Sequence, residues 1–158
     1  MDVFTTNEEC SLGNGVINPV NTPVLAAGMT PIKWVEGVET PTTSNDAAWY
    51  DYENKLWANA KTADGSYWVW IPRYAYSITS GYQSSTAGNI SVKFLNGINN
   101  NAIVDGSTVS TTPTYEGNNH TNYVVHPAFN FGGTEVTGIW IAKFEASDNG
   151  SGKNKNGT

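Results

Sequence analysis

The 158-residue sequence predicts a mainly β fold with little helix: a small antiparallel sheet or sandwich carrying long Asn/Thr/Gly-rich loops. Three observations lead there. Only 14% of residues are charged, against roughly 25% in ordinary soluble domains. Polarity comes instead from asparagine, threonine, serine and glycine, which hydrogen-bond in turns without mutual repulsion and, for threonine, suit a half-buried pleated surface. Apolar residues come in short runs such as "SYWVWI", "ISVKFL" and "GIWIA", each bounded by turn formers. Finally, Asp64-Gly65 lies between two such runs, and both residues tolerate the positive φ that a tight hairpin needs.

Taken in order, residues 1–22 read as an extended amino-terminal arm, with Gly13, Gly15 and Pro19 and little periodicity. A β-rich domain is expected over 23–147. "PVLAAGMTPIKW" suggests strand, turn, strand, and "VETPTTSNDAAW" a loop. Trp49, Tyr50 and Tyr52, then "LWANAKT", then "SYWVWIPRY" read as the three strands of a meander with turns at "ENK" and "ADG". The third strand does not alternate with polar residues, so both of its faces are expected to be covered, with Trp68 and Trp70 in the core. Pro72 cannot donate to a ladder and marks a strand end. Residues 77–89 read as loop, and "ISVKFL" as a strand with Ile90, Val92 and Phe94 or Leu95 inward. The stretch 96–122 is an excursion or a hairpin with strands at "NAIVDGSTV". "TEVTGIWIAKFEAS" supplies a second core strand, and 148–158 has the composition of a linker-like tail.

The formal charge of −6 and the lack of any Lys/Arg cluster exclude a nucleic-acid footprint. Membrane insertion has no support either, because no apolar run approaches the length of a span. The single cysteine, Cys10, cannot form an internal disulfide. The two histidines and unpaired cysteine supply no zinc pattern, so neither a metal nor a cofactor is expected. His126, in "VVHPAF", reads as a structurally bonded, buried imidazole, and His120, in "GNNHTN", as a loop residue in water. No G-x-S-x-G elbow is present. Asp51 and Glu53 could form a glycosidase-like carboxylate pair, but exposed charge beside a turn is the simpler reading. Four N-x-S/T sequons, at Asn89, Asn119, Asn149 and Asn156, are what chance gives in so Asn- and Thr-rich a chain. No catalytic residue is assigned, and the chain is read as non-enzymatic.

Two features remain. Arg73, the only arginine, leaves the core strand, and a structural ion pair with Glu145 is expected, Lys143 being the alternative partner of that carboxylate. The aromatics are dense, and flat rings with a polar tip stack on sugar faces. Trp49, Tyr52 and Trp57 alternate with polar residues, so they form the expected glycan-facing surface.

The set "TPVLAAGMTPIKW", "WYDYENKLWANA", "DGSYWVWIPRYAY" and "HPAFNFGGTEVTGIWIAKFEAS" resembles a family of uncharacterised proteins of Firmicutes genomes and prophages. Members are similar to phage tail-fibre or appendage proteins, and some to pilin-type surface proteins. "VWIPRYAY" with "TGIWIAKFEAS" is also similar to the opening strands of C-type-lectin-like, formylglycine-generating folds, which implies a partial fold of that kind without the oxidase chemistry. The resemblance implies a structural or adhesion component of a virion, either a tail fibre or another exposed part. Such a component would assemble with copies of itself and bind a host-surface glycan. A pilin-like extracellular filament or cell-surface subunit is the alternative, and a carbohydrate-active enzyme ranks below both.

Overall fold

A computed structural model describes residues 20–147 and 153–154. They form thirteen short strands and one three-residue 3-10 turn, so the expected β-rich, antiparallel character holds. The chain divides into two compact units, Pro23–Ile71 with Gly138–Thr158, and Met1–Thr22 with Pro72–Thr137. All six tryptophans lie in the former, here called the tryptophan unit. The latter, the tyrosine unit, holds Tyr74, Tyr76, Tyr82, Tyr115 and Tyr123.

The tryptophan unit opens with β1 (Met29–Val35) and β2 (Val38–Pro41). Glu36 and Gly37 between them both take positive φ, 50° and 80°, so the turn has the handedness that suits twisted strands. β3 (Asn59–Thr62) and β4 (Tyr67–Pro72) form the hairpin expected at Asp64-Gly65. There the Asp64 carboxylate accepts from Thr62 Oγ1, Ser66 N and Ser66 Oγ. The first strand of the expected meander is absent. Residues 49–52 make only an isolated bridge, Asp51 to Leu56, because the Asp51 side chain turns back to accept from Glu53 N, Asn54 N and Asn54 Nδ2. β1 takes that place beside β3, with Ile32 opposite Asn59.

The chain crosses at Ile71–Pro72 into the tyrosine unit. Its strands are β5 (Tyr74–Ser80), β6 (Asn89–Phe94), β7 (Tyr115–Glu116), β8 (Asn119–Val125), β9 (Asn130–Phe131) and β10 (Thr134–Glu135). The main sheet runs β6-β5-β8-β7, all pairs antiparallel. β5 thus claims residues 77–80, which read as loop in the sequence. Ser77 and Ile78 are buried there, with Ile78 paired to Ile90 on one side and His120 on the other. Ala75, Leu95, Ala102 and Val109 form the small core, with Tyr123 and Val125 against it. Leu95 is fully buried, whereas Ile90, expected inward, is 36% exposed at the start of edge strand β6. The excursion 96–114 is held by bridges, Leu95 to Ala102 and Asn101 to Thr108, not by full strands. Residues 1–19 of the expected arm lie outside the described residues. Its end does not hang free: Val20 is buried, and Asn21 Nδ2 donates to Gly97 O and Thr137 O while Oδ1 accepts from Gly97 N.

After Thr137 the chain returns as β11 (Gly138–Ala142), giving a five-stranded sheet ordered β11-β4-β3-β1-β2. A Cβ at Gly138 would lie 2.3 Å from Trp70 Cζ2 and 2.7 Å from Ile71 O, so β11 packs this closely only because that residue is glycine. β11, expected as a second core strand, is an edge strand with Ile141 44% exposed, although its Trp140 packs against the core. One sheet face carries the core of Trp49, Ala58 and Trp70, with Tyr50, Tyr52 and Trp140 around it. Trp68 is only half-buried. β13 (Lys153–Asn154), in the stretch expected to be a linker, pairs with β12 (Ala146–Ser147) at the end of the expected domain; the remaining tail residues and Cys10 lie outside the described residues.

Candidate functional site

Among the described residues, those singled out in the sequence as candidate site residues can each be placed. Trp49 is not on the surface; it is 1% exposed, its indole N–H donating to Asn59 O at 2.8 Å inside the tryptophan-unit core. The alternation that suggested exposure belongs to a turn, where it carries no facing information. Tyr52 is half-buried against Tyr50 and Trp57, and burial pushes its phenol well above the usual range. Trp57 alone of the three is substantially open, at 40%, its ring edge-on to Tyr52 with centroids 5.1 Å apart.

The carboxylate paired with Arg73 is Glu135, of its own unit, where Glu145 was expected. Arg73 is 1% exposed and its guanidinium pairs with Glu135 on β10. It also donates to Asn100 Oδ1 (2.9 Å), Asn99 O (3.3 Å) and Phe129 O (3.4 Å). Glu135 is held below the usual carboxylate range by hydrogen bonds from Asn130 and Arg73. Glu145 belongs to the other unit and is exposed. Lys143, its alternative partner, donates to Asn59 Oδ1 at 2.8 Å and lies over the Trp34 ring. Sequence proximity to a strand end could not reveal that hairpin β9–β10 brings its own carboxylate to Arg73.

One concavity was not anticipated. It is a cleft of about 230 Å³ in the tyrosine unit, lined chiefly by Tyr76, Tyr82, Tyr115, His120, Pro113 and Val124. Its floor follows from strand register: Tyr76 pairs with Val124, Ile78 with His120, and His120 with Tyr115, so these side chains share one face of β5-β8-β7. One wall is the 110–114 segment. Asn122 fixes it by accepting from Thr114 N at 2.6 Å and donating to Thr112 O at 3.0 Å. Opposite, Tyr82 N donates to Asn119 Oδ1 at 3.4 Å. Tyr115 and Tyr82 are 60% and 40% exposed, so two phenol rings flank the opening.

His120, expected in water, is 4% exposed. Its ring meets Tyr76 edge-on at 4.9 Å and Tyr115 at 6.3 Å, and its Nδ1–H donates to Asn122 O at 3.2 Å. The usable sequence signal was "YEGNNHTNYVV": a Gly117-Asn118 turn between short segments, with His120, Asn122 and Val124 alternating along the second.

His126 does carry the expected structural bond. Its Nδ1 accepts from Ala128 N at 3.2 Å, capping the 3-10 turn Pro127–Phe129, while Tyr74, Tyr76 and Phe129 surround the ring. Burial pushes the imidazole below its ordinary 6.5. The folded unit therefore prefers the neutral ring, and the accepted Ala128 N–H requires it. Because the unfolded chain binds this proton more readily, stability is complete above about pH 6.5 and declines as pH falls below it. Thermal melts followed by tyrosine near-ultraviolet dichroism should show that decline between pH 7 and 5. His126→Asn, which keeps a cap acceptor but does not titrate there, should flatten it.

Comparison with protein-family models, with curated proteins and with solved structures found no match.

Proposed function

We propose that this chain is a non-enzymatic structural and adhesion component of an exposed assembly, a phage virion appendage or another bacterial-surface structure. In this reading it associates with copies of itself and binds a glycan. The observation that carries the reading is the tyrosine cleft, whose rim offers two exposed phenol rings over a floor of neutral polar and aliphatic groups. Stacking on flat rings with hydrogen bonding at their edges is how proteins hold a sugar ring, which has one apolar face and a polar perimeter. The cleft's volume, under the roughly 300–1,000 Å³ of sites for drug-sized ligands, suits one ring of a longer chain. The glycan surface read from the sequence thus moves from Trp49, Tyr52 and Trp57 to Tyr82 and Tyr115, with Trp57 left as a single exposed ring.

The test is binding of the full chain to an array of bacterial surface polysaccharides. Retention on a subset is expected. Tyr115→Ala should weaken it about tenfold, ~1.4 kcal/mol, without changing the melting temperature by more than a degree or two. Binding to none of them would remove the adhesion assignment. Light scattering addresses assembly separately: a multimer is expected, and a strict monomer at high concentration would contradict that part.

A further inference from the structure

Resting on the glycan-binding reading of the cleft, we infer that its ligand is an uncharged sugar, oriented by a ring hydroxyl that donates to Nε2 of His120. Three points lead there: the tautomer of His120, the charge of the lining and the cost to an apolar guest.

The first is the tautomer. His120 Nδ1 faces the backbone carbonyl of Asn122, which can only accept, so in the neutral ring the proton sits on Nδ1. Nε2 is then a lone-pair acceptor. It has no protein partner among the described residues, although His120 lines the cleft and is 4% exposed. The Nδ1 bond and the edge contact with Tyr76 hold the ring in place, so this acceptor is preorganised.

The second is charge. The cleft lining contains no Asp, Glu, Lys or Arg. A uronate or sialate carboxylate entering it would lose hydration and meet no cation, which is costly, whereas a hydroxyl finds an acceptor. The third is what an apolar guest would do. A proline-rich or aromatic peptide filling the same space would cover Nε2 without donating to it and leave a buried acceptor unsatisfied. Sugar hydroxyls avoid that cost, and the Thr111 hydroxyl and tyrosine phenols of the lining supply further bonding groups at the perimeter.

The experiment is saturation-transfer NMR on the full chain with methyl glucoside, methyl galactoside, methyl N-acetylglucosaminide, glucuronate and a proline-rich peptide, repeated on three variants. His120→Asn places an amide N–H near the Nδ1 position, keeping the bond to Asn122 O, but has nothing at Nε2. His120→Gln reaches further and can offer an oxygen there. Tyr115→Ala removes the stacking ring. Expected are transfer to at least one neutral glycoside and none to glucuronate or the peptide, a loss of tenfold or more in His120→Asn, and partial recovery in His120→Gln. Circular dichroism spectra matching the parent would exclude misfolding of the two His120 variants; if His120→Asn misfolds, the Gln variant alone decides, by retaining binding better than Tyr115→Ala. Binding that Tyr115→Ala abolishes but His120→Asn leaves intact would overturn this inference and leave the glycan reading standing. Preferential binding of glucuronate would also overturn it. Binding of the peptide alone, or of no sugar, would overturn both.

Discussion

Arg73→Met is expected to destabilise the tyrosine unit by about 3 kcal/mol, the lower end of the roughly 3–5 kcal/mol for breaking a buried ion pair. The lower end applies because Glu135 is 34% exposed and can rehydrate when its partner goes. The main loss lies elsewhere. Arg73 itself is 1% exposed, and its guanidinium ties Asn99 O and Asn100 Oδ1 of the 96–114 excursion to Phe129 O at the end of the 3-10 turn. An apolar replacement leaves those acceptors in a dry site, each at a cost of about 1–3 kcal/mol where water cannot reach it. Arg73→Lys should fall between, since one ammonium cannot reproduce the fork. Glu145→Gln should change stability by less than about 0.5 kcal/mol, as for any exposed position away from such features. Urea unfolding read by tyrosine dichroism measures all three. A Glu145→Gln loss comparable to that of Arg73→Met would restore the pairing suggested by the sequence.

Trp49→Ala should be at least as damaging to the tryptophan unit, about 3–5 kcal/mol for a buried aromatic truncated to alanine. The indole is 1% exposed between Tyr50 and Trp140, and its N–H satisfies Asn59 O. Trp49→Phe keeps most of the volume but orphans that carbonyl, so it should cost about 1–3 kcal/mol more than the lost contacts alone. Trp57→Ala, by contrast, should be nearly neutral, because the ring is 40% exposed. The ordering Trp49→Ala well below Trp57→Ala in urea midpoint separates a core tryptophan from a surface one. Equal effects would put Trp49 back on the surface.

These two residues also show where the sequence was legible and where it was not. The β character and the Asp64-Gly65 hairpin followed from local chemistry, and both stand. So does the end of β4 at Pro72, which cannot donate to a ladder. Register and pairing across long separations did not follow. β1 displaced residues 49–52 as the partner of β3, and alternation in those residues then said nothing about exposure. Arg73 found Glu135, 62 positions away, through a two-residue hairpin too short to leave a strand pattern. The cleft was hidden for the same reason. His120 sits among asparagines and threonines that read as loop, and only its pairing with Ile78 and Tyr115 makes it part of a floor.

The tryptophan and tyrosine partition gives the account its most direct test. Every indole lies in the tryptophan unit and the cleft has none, so a titration of the 15N-labelled chain with a retained glycan distinguishes the two surfaces. The predicted result is chemical-shift change concentrated at residues 76–82, 111–115 and 120–125, with the Trp57 indole N–H unmoved. Shifts confined to Trp57 and its neighbours, with the cleft silent, would contradict it.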